Sequence, residues 1–78
     1  MLIIFTKHAS IKLEQIKINK QFVLETIKNP NLVRSTYNFR EELYRKFNKN
    51  YLMVIIKRKK EYIIVLTMHW VAKTIDKL

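Results

Sequence analysis

The chain has 78 residues, 49% of them apolar, and carries 16 Lys/Arg against 6 Asp/Glu, a net charge of +10. That length sets a single domain, residues 1–78, with enough apolar side chains for a small core and too many for disorder. It contains neither cysteine nor glycine, which excludes disulfide frames, thiolate metal sites, P-loops and glycine-rich dinucleotide loops, and no apolar run approaches the roughly 20 residues of a membrane span.

Leu2–Phe5 is a short apolar run that reads as a strand and lacks the pattern of a secretory leader. Together with the missing cysteines it sets the expectation of a soluble, cytoplasmic protein with no membrane partner. Thr6 is placed to cap a helix. Over Lys7–Gln15 and just beyond, Ala9, Leu13 and Ile16 fall at i, i+4 and i+7, one helical face, and Ile11 lies off it. Asn19 is a second cap, ahead of a helix whose inner face is Val23, Leu24 and Ile27. Asn29-Pro30-Asn31 ends that helix, because a residue before proline avoids helical backbone.

Beyond Pro30 the period changes to two. Leu32–Ser35 reads as a short edge strand. Glu41–Phe47 alternates, with Leu43, Arg45 and Phe47 on one side and Glu42, Tyr44 and Lys46 on the other. Asn48-Lys49-Asn50 is a turn, since asparagine tolerates the left-handed conformation. Tyr51–Lys57 is a strongly apolar strand, Arg58-Lys59-Lys60 the next turn, and Tyr62–Trp70 a second long strand. These two long strands belong in the middle of a sheet. Val71–Leu78 reads as a tail with one or two helical turns. Strand, helix, helix and then strands imply an α+β domain: an N-terminal strand and two helices packed on one face of a three- to four-stranded antiparallel sheet, the other face being free to bind.

The positive charge is uneven. Residues 31–60 hold nine basic and two acidic side chains, whereas residues 61–78 are neutral. Such a basic stretch points to a polyanionic partner, RNA or DNA foremost; a lysine-rich solvated surface is the plain alternative. Tyr37, Phe39, Tyr44, Phe47, Tyr51, Tyr62 and Trp70 interleave with these cations, and aromatic rings stack on bases while Lys and Arg hold phosphates. Phe47 and Tyr62 suit the core or cross-strand pairs better. Trp70, at a strand end, is a surface candidate, and Arg58, Lys59 and Lys60 are shaped to touch a phosphate backbone.

His8 and His69 are the only histidines. One opens the first helix and the other ends the last strand, so helices on one side of the sheet would bring them together as acid and base near neutral pH. The alternative is a pair of structural histidines. RNA cleavage without a metal needs a base for the 2′-OH, an acid for the 5′-oxygen and a cation for the charged phosphorane. Arg45, Lys46, Glu42 and His69 would supply these, although alternation sets Arg45 opposite Lys46. No metal site or cofactor is expected, because the six carboxylates form no D-x-D or H-E-x-x-H pattern. Ser10 and Ser35 do not sit at a glycine-framed nucleophile elbow.

Phe5-Thr6-Lys7-His8-Ala9, followed by Ile18, Val23, Ile27-Lys28-Asn29-Pro30-Asn31 and Val33, resembles the opening of a widespread small domain of bacteria and archaea. Its pattern is T-x-H-A, a basic residue four after the histidine, then N-P-D. The second half is similar to that domain's apolar hairpin ending in V-x-T-x-[HY], here Val65-Leu66-Thr67-Met68-His69. The resemblance covers residues 3–70, and the domain looks related to the RelE/ParE/BrnT toxin superfamily. It implies a toxin of a type II toxin–antitoxin pair with an acidic antitoxin as partner. RelE- and BrnT-like members are metal-free endoribonucleases acting on mRNA, ribosome-bound mRNA included; ParE-like members inhibit gyrase and cleave nothing. The positions carried over are His8, Lys12, Lys46 and His69. The expected catalytic set is therefore His8, Arg45, Lys46 and His69, and the expected RNA-binding set is Lys12, Arg58, Lys59, Lys60 and Trp70. Asn31 departs from the family's Asp, and Asn and Lys stand in its glycine turns.

Overall fold

The computed structural model describes residues 2–72. Its elements are β1 (Leu2–Phe5), α1 (Lys7–Gln15), α2 (Lys20–Lys28), β2 (Leu32–Ser35), β3 (Arg40–Phe47), β4 (Asn50–Arg58) and β5 (Tyr62–Val71). The α+β class holds, and both long strands are interior, but the sheet is larger than expected. It has five strands in the order β1-β5-β4-β3-β2 and is mixed, because β1 pairs parallel to β5. The reason is backbone satisfaction. An apolar strand cannot leave its N–H and C=O groups unpaired, and β5 offers β1 an edge. A parallel partner needs a long crossover connection, and everything from α1 to the β4–β5 turn supplies it. The expected helical turns of the tail fall mostly outside the described residues; Val71 itself ends β5.

Both helices begin where the side chains dictate. The Thr6 hydroxyl accepts from the Ala9 N–H at 3.0 Å, and the Asn19 side chain accepts from the Gln21 N–H at 2.8 Å. Lys17, at φ 51°, ends α1 in the left-handed region, where glycine is usual. The inner stripe of α1 is Ala9, Leu13 and Ile16, all packed on the core, while Ile11 is 47% exposed. In α2, Val23 and Ile27 are buried as patterned, and so is Thr26, whose hydroxyl satisfies itself on the Phe22 carbonyl at 2.8 Å.

The core lies on one face of the sheet. Leu52, Val54 and Ile56 of β4 are fully buried there, beside Leu43 of β3 and Val65 and Met68 of β5. Tyr51, Met53, Ile55 and Lys57 point to the other face, which no helix covers among the described residues. None of the described helices is long and apolar enough to cross a membrane.

One irregularity matters for the site. The β4–β5 register jumps from Ile55↔Thr67 to Ile56↔Val65, so Leu66 is an extra residue. Thr6 anchors it: its N–H donates to the Val65 carbonyl at 3.1 Å, and its hydroxyl reaches the Leu66 carbonyl at 3.5 Å. The T-x-H-A and V-x-T-x-H segments therefore meet through Thr6. Thr6→Ala should cost about 1 kcal/mol in a denaturant titration, and Thr6→Ser should recover most of it; equal losses would mean that the hydroxyl has no such part.

The β2–β3 connection is a tight turn with two left-handed residues, Asn38 (φ 62°) and Phe39 (φ 58°), closed by Arg40 N–H to the Tyr37 carbonyl at 3.4 Å. A β-carbon in this region costs roughly 1–2 kcal/mol, which asparagine relieves and phenylalanine does not.

Candidate functional site

The bulge decides which way His69 points. Strict alternation from the buried Ile63 and Val65 would place Thr67 and His69 under the helices. The extra residue at Leu66 shifts the phase, so Met68 enters the core and His69, opposite Met53, turns to the uncovered face. β1 ends at Phe5, opposite Val65, which leaves the rest of β5 without a strand on that side among the described residues. Helix α1 starts there and packs along β5.

His8 and Lys12 are one helical turn apart and lie on one flank of α1. They come close enough to His69 to act on its ionisation. Partial burial first, then the charges of Lys12 and His8, hold the His69 imidazole below its ordinary value of 6.5. His69 is thus neutral at physiological pH, the state a general base requires. The same depression ties stability to pH. As pH falls below about 6.5 the unfolded chain takes up its proton first, so the contribution of neutral His69 is full above that value and is lost on descent through the lower, folded pKa. The acid limb of a pH–stability curve should therefore flatten in His69→Gln; an unchanged limb would show that other groups control it.

Of the four residues carried over from the resemblance, His8 and Lys12 lie within electrostatic range of His69, and Lys46 lies apart. Lys46 shares the uncovered face, with its ammonium 6.0 Å from the Tyr51 ring centre, and its N–H donates to the Asn31 side chain at 2.8 Å. An Asp at position 31 would accept that bond equally well. Lys46 lies two strands from β5 and one row along from His69, about 12 Å away by sheet spacing.

Arg45 does not join them. It faces the helices, where its guanidinium donates to the Asn29 carbonyl at 2.7 Å and closes the C-terminus of α2. A phosphorane held by Arg45 and Lys46 together is therefore geometrically excluded. Trp70 also turns away from His69. It pairs with Leu52 on the core side and packs edge-on against Phe22 and Phe47, at 6.5 and 6.3 Å between ring centres. The basic turn lies at the opposite end of the sheet from His69. There Arg58 makes a two-pronged ion pair with Glu41, which holds the Glu41 carboxyl below its usual range, while Lys59 and Lys60 are exposed.

Tyr44 occupies the same cross-sheet row as Met53 and His69 and is 5% exposed. Its hydroxyl donates to Glu42 at 3.0 Å, and Arg34 stands 3.8 Å from the same carboxylate. Burial and then that hydrogen bond push the phenol above its ordinary value, so Tyr44 is a proton donor rather than a base. Among the described residues, no three His, Cys, Asp or Glu side chains group closely enough to hold a metal ion. Sequence reading overlooked the bulge, and its one signal was the three-residue step from Val65 to Met68 across polar Thr67. No family model, curated protein or solved structure matches the chain.

Proposed function

We propose that this protein is a metal-independent endoribonuclease that acts on mRNA as the toxin of a toxin–antitoxin pair. What supports the reading is that α1 carries His8 and Lys12 on one flank, within electrostatic range of His69 at the end of β5. Neutral His69 takes the proton of a ribose 2′-OH as its oxygen attacks the adjacent phosphorus. Lys12 stabilises the charge that grows on the phosphorane oxygens. His8 gives a proton to the departing 5′-oxygen, leaving a 2′,3′-cyclic phosphate and a free 5′-hydroxyl. Lys46 and the uncovered face hold the strand beyond the cut. An acidic antitoxin in the same cytoplasm would cover that face, for which the net charge of +10 is suited.

A second reading, a non-catalytic nucleic-acid-binding or gyrase-inhibiting module, is favoured by one specific observation. Arg45, Arg58 and Trp70 are spent on a helix end, an ion pair and an aromatic cluster, not on one site. The assay that separates them is cleavage of RNA by purified protein in excess chelator, with and without ribosomes. Cleavage supports the first; salt-sensitive binding of RNA or DNA without cleavage moves the assignment to the second.

A further inference from the structure

The tip of the β2–β3 hairpin holds a residue that the fold does not need. Phe39 is 91% exposed and Tyr37 80% exposed, the two most solvent-exposed large apolar side chains among the described residues. Phe39 also stands at φ 58°, in a turn whose second left-handed position favours glycine. Its ring gains nothing from burial, and its β-carbon strains the backbone. The Thr36 hydroxyl, 3.5 Å from the Arg40 carbonyl, and the Arg40 N–H on Tyr37 hold the turn closed despite that cost. Strain held at an exposed aromatic points to a contact outside the chain.

The surroundings say what kind of contact. Arg40 and Lys57 pair across β3 and β4 on the uncovered face, and Lys59 and Lys60 occupy the neighbouring turn at the same end of the sheet. Glu41 is taken by Arg58, and Glu42 by Tyr44 and Arg34. Arg40, Lys57, Lys59 and Lys60 have no acidic partner among the described residues. A groove at this tip is lined by Phe39, Arg40, Arg58 and Glu41, whose carboxylate Arg58 already neutralises. An exposed ring ringed by unpaired cations is how proteins hold a flexible single strand: the base stacks and the phosphates are neutralised. A protein partner would need a broad surface of some 800 Å² per side, on the order of twenty residues, which a narrow four-residue turn does not offer.

We infer that Phe39, with Tyr37 beside it, is a stacking platform for an unpaired base of single-stranded RNA, whose phosphates lie on Arg40, Lys57, Lys59 and Lys60. The choice of RNA rests on the ribonuclease reading and deepens it. The tip lies about 20 Å from His69, five residues along β3 and two strands across, so the platform grips the strand away from the scissile phosphate.

The test uses a fluorescein-labelled, 12-nucleotide single-stranded RNA with 2′-O-methyl riboses, which has no 2′-OH to attack. Binding is read by anisotropy at fixed salt. Phe39→Gly should raise the melting temperature, because it relieves the turn, and yet weaken binding on the order of 5- to 100-fold. Phe39→Tyr, which keeps the ring, should bind like the wild type. Unchanged affinity in Phe39→Gly overturns the platform, as does a lowered melting temperature or a Phe39→Tyr variant that binds no better than Phe39→Gly. If Phe39→Gly weakens binding as expected but the wild type never cuts a 2′-hydroxyl RNA, the platform stands and the ribonuclease reading falls. If it cuts RNA and Phe39→Gly binds normally, the reverse holds. Wild type that binds no RNA overturns both.

Discussion

Replacing Leu52 with alanine is expected to destabilise the fold by about 2–5 kcal/mol. Leu52 is fully buried at the centre of the sheet, between Arg45 on β3 and Trp70 on β5, and under the helices. Its removal leaves a cavity that the sheet cannot close, because both neighbouring strands are fixed by their ladders. The domain is small, and such domains stand near the lower end of the roughly 5–15 kcal/mol range of folding stabilities. A shift of this size would lower the melting temperature by roughly 10–30 °C. Ile11→Ala is the control. Ile11 is 47% exposed on the outer side of α1 and should change stability by no more than about 0.5 kcal/mol. Similar losses in the two variants, read from denaturant midpoints, would contradict this packing.

The exposure of Ile11 was readable without a structure, because it lies off the helix stripe. The burial of Leu52 was not, because Tyr51–Lys57 is apolar on both faces and its period does not say which one is buried. The helix stripe of Ala9, Leu13 and Ile16, the two caps Thr6 and Asn19, and the stop at Pro30 are local effects within one turn of chain. The alternation of β3 was equally local, and it already set Arg45 apart from Lys46. What sequence could not reveal was non-local. Which edge Leu2–Phe5 would join depends on strands sixty residues away, and four residues carry no mark of parallel or antiparallel pairing. Phe39 in a left-handed turn broke the expectation that asparagine and lysine would make the turns; Lys17 and Asn48 met it.

The site was legible as residue types and illegible as an arrangement. Helix spacing alone places His8 and Lys12 on one flank. The position of His69 depends on Leu66, since one inserted residue exchanges the two faces of everything after it. Thr6 connects these facts. The side chain that caps α1 also touches the carbonyl of the bulged residue, so the start of the helix bearing His8 and Lys12 is fixed to the turnover point that exposes His69. Residues 6–12 and 65–69 form one structural unit, and their chemistry should fail together.

His69→Gln is therefore expected to lower RNA cleavage at pH 7.5 by about 10²- to 10⁴-fold, the usual worth of a positioned general base, while leaving binding of an uncleavable RNA within a few fold. Glutamine keeps the size and polarity of the imidazole at an exposed position, so a loss of rate would not reflect unfolding. The pH profile supplies a readout that a structural role would not move. Cleavage should fall on the acid side as His69 takes up its proton, at a pH below 6.5 because partial burial, Lys12 and His8 depress it. Lys12→Met removes one of those charges, so it should move that acid limb to higher pH as well as slowing the reaction. His8→Gln should shift the limb in the same direction. If Lys12→Met slows cleavage but leaves the limb in place, Lys12 acts on the phosphate without touching His69. If His69→Gln cleaves like the wild type, the base lies elsewhere, and the meeting of α1 with the end of β5 serves the fold alone.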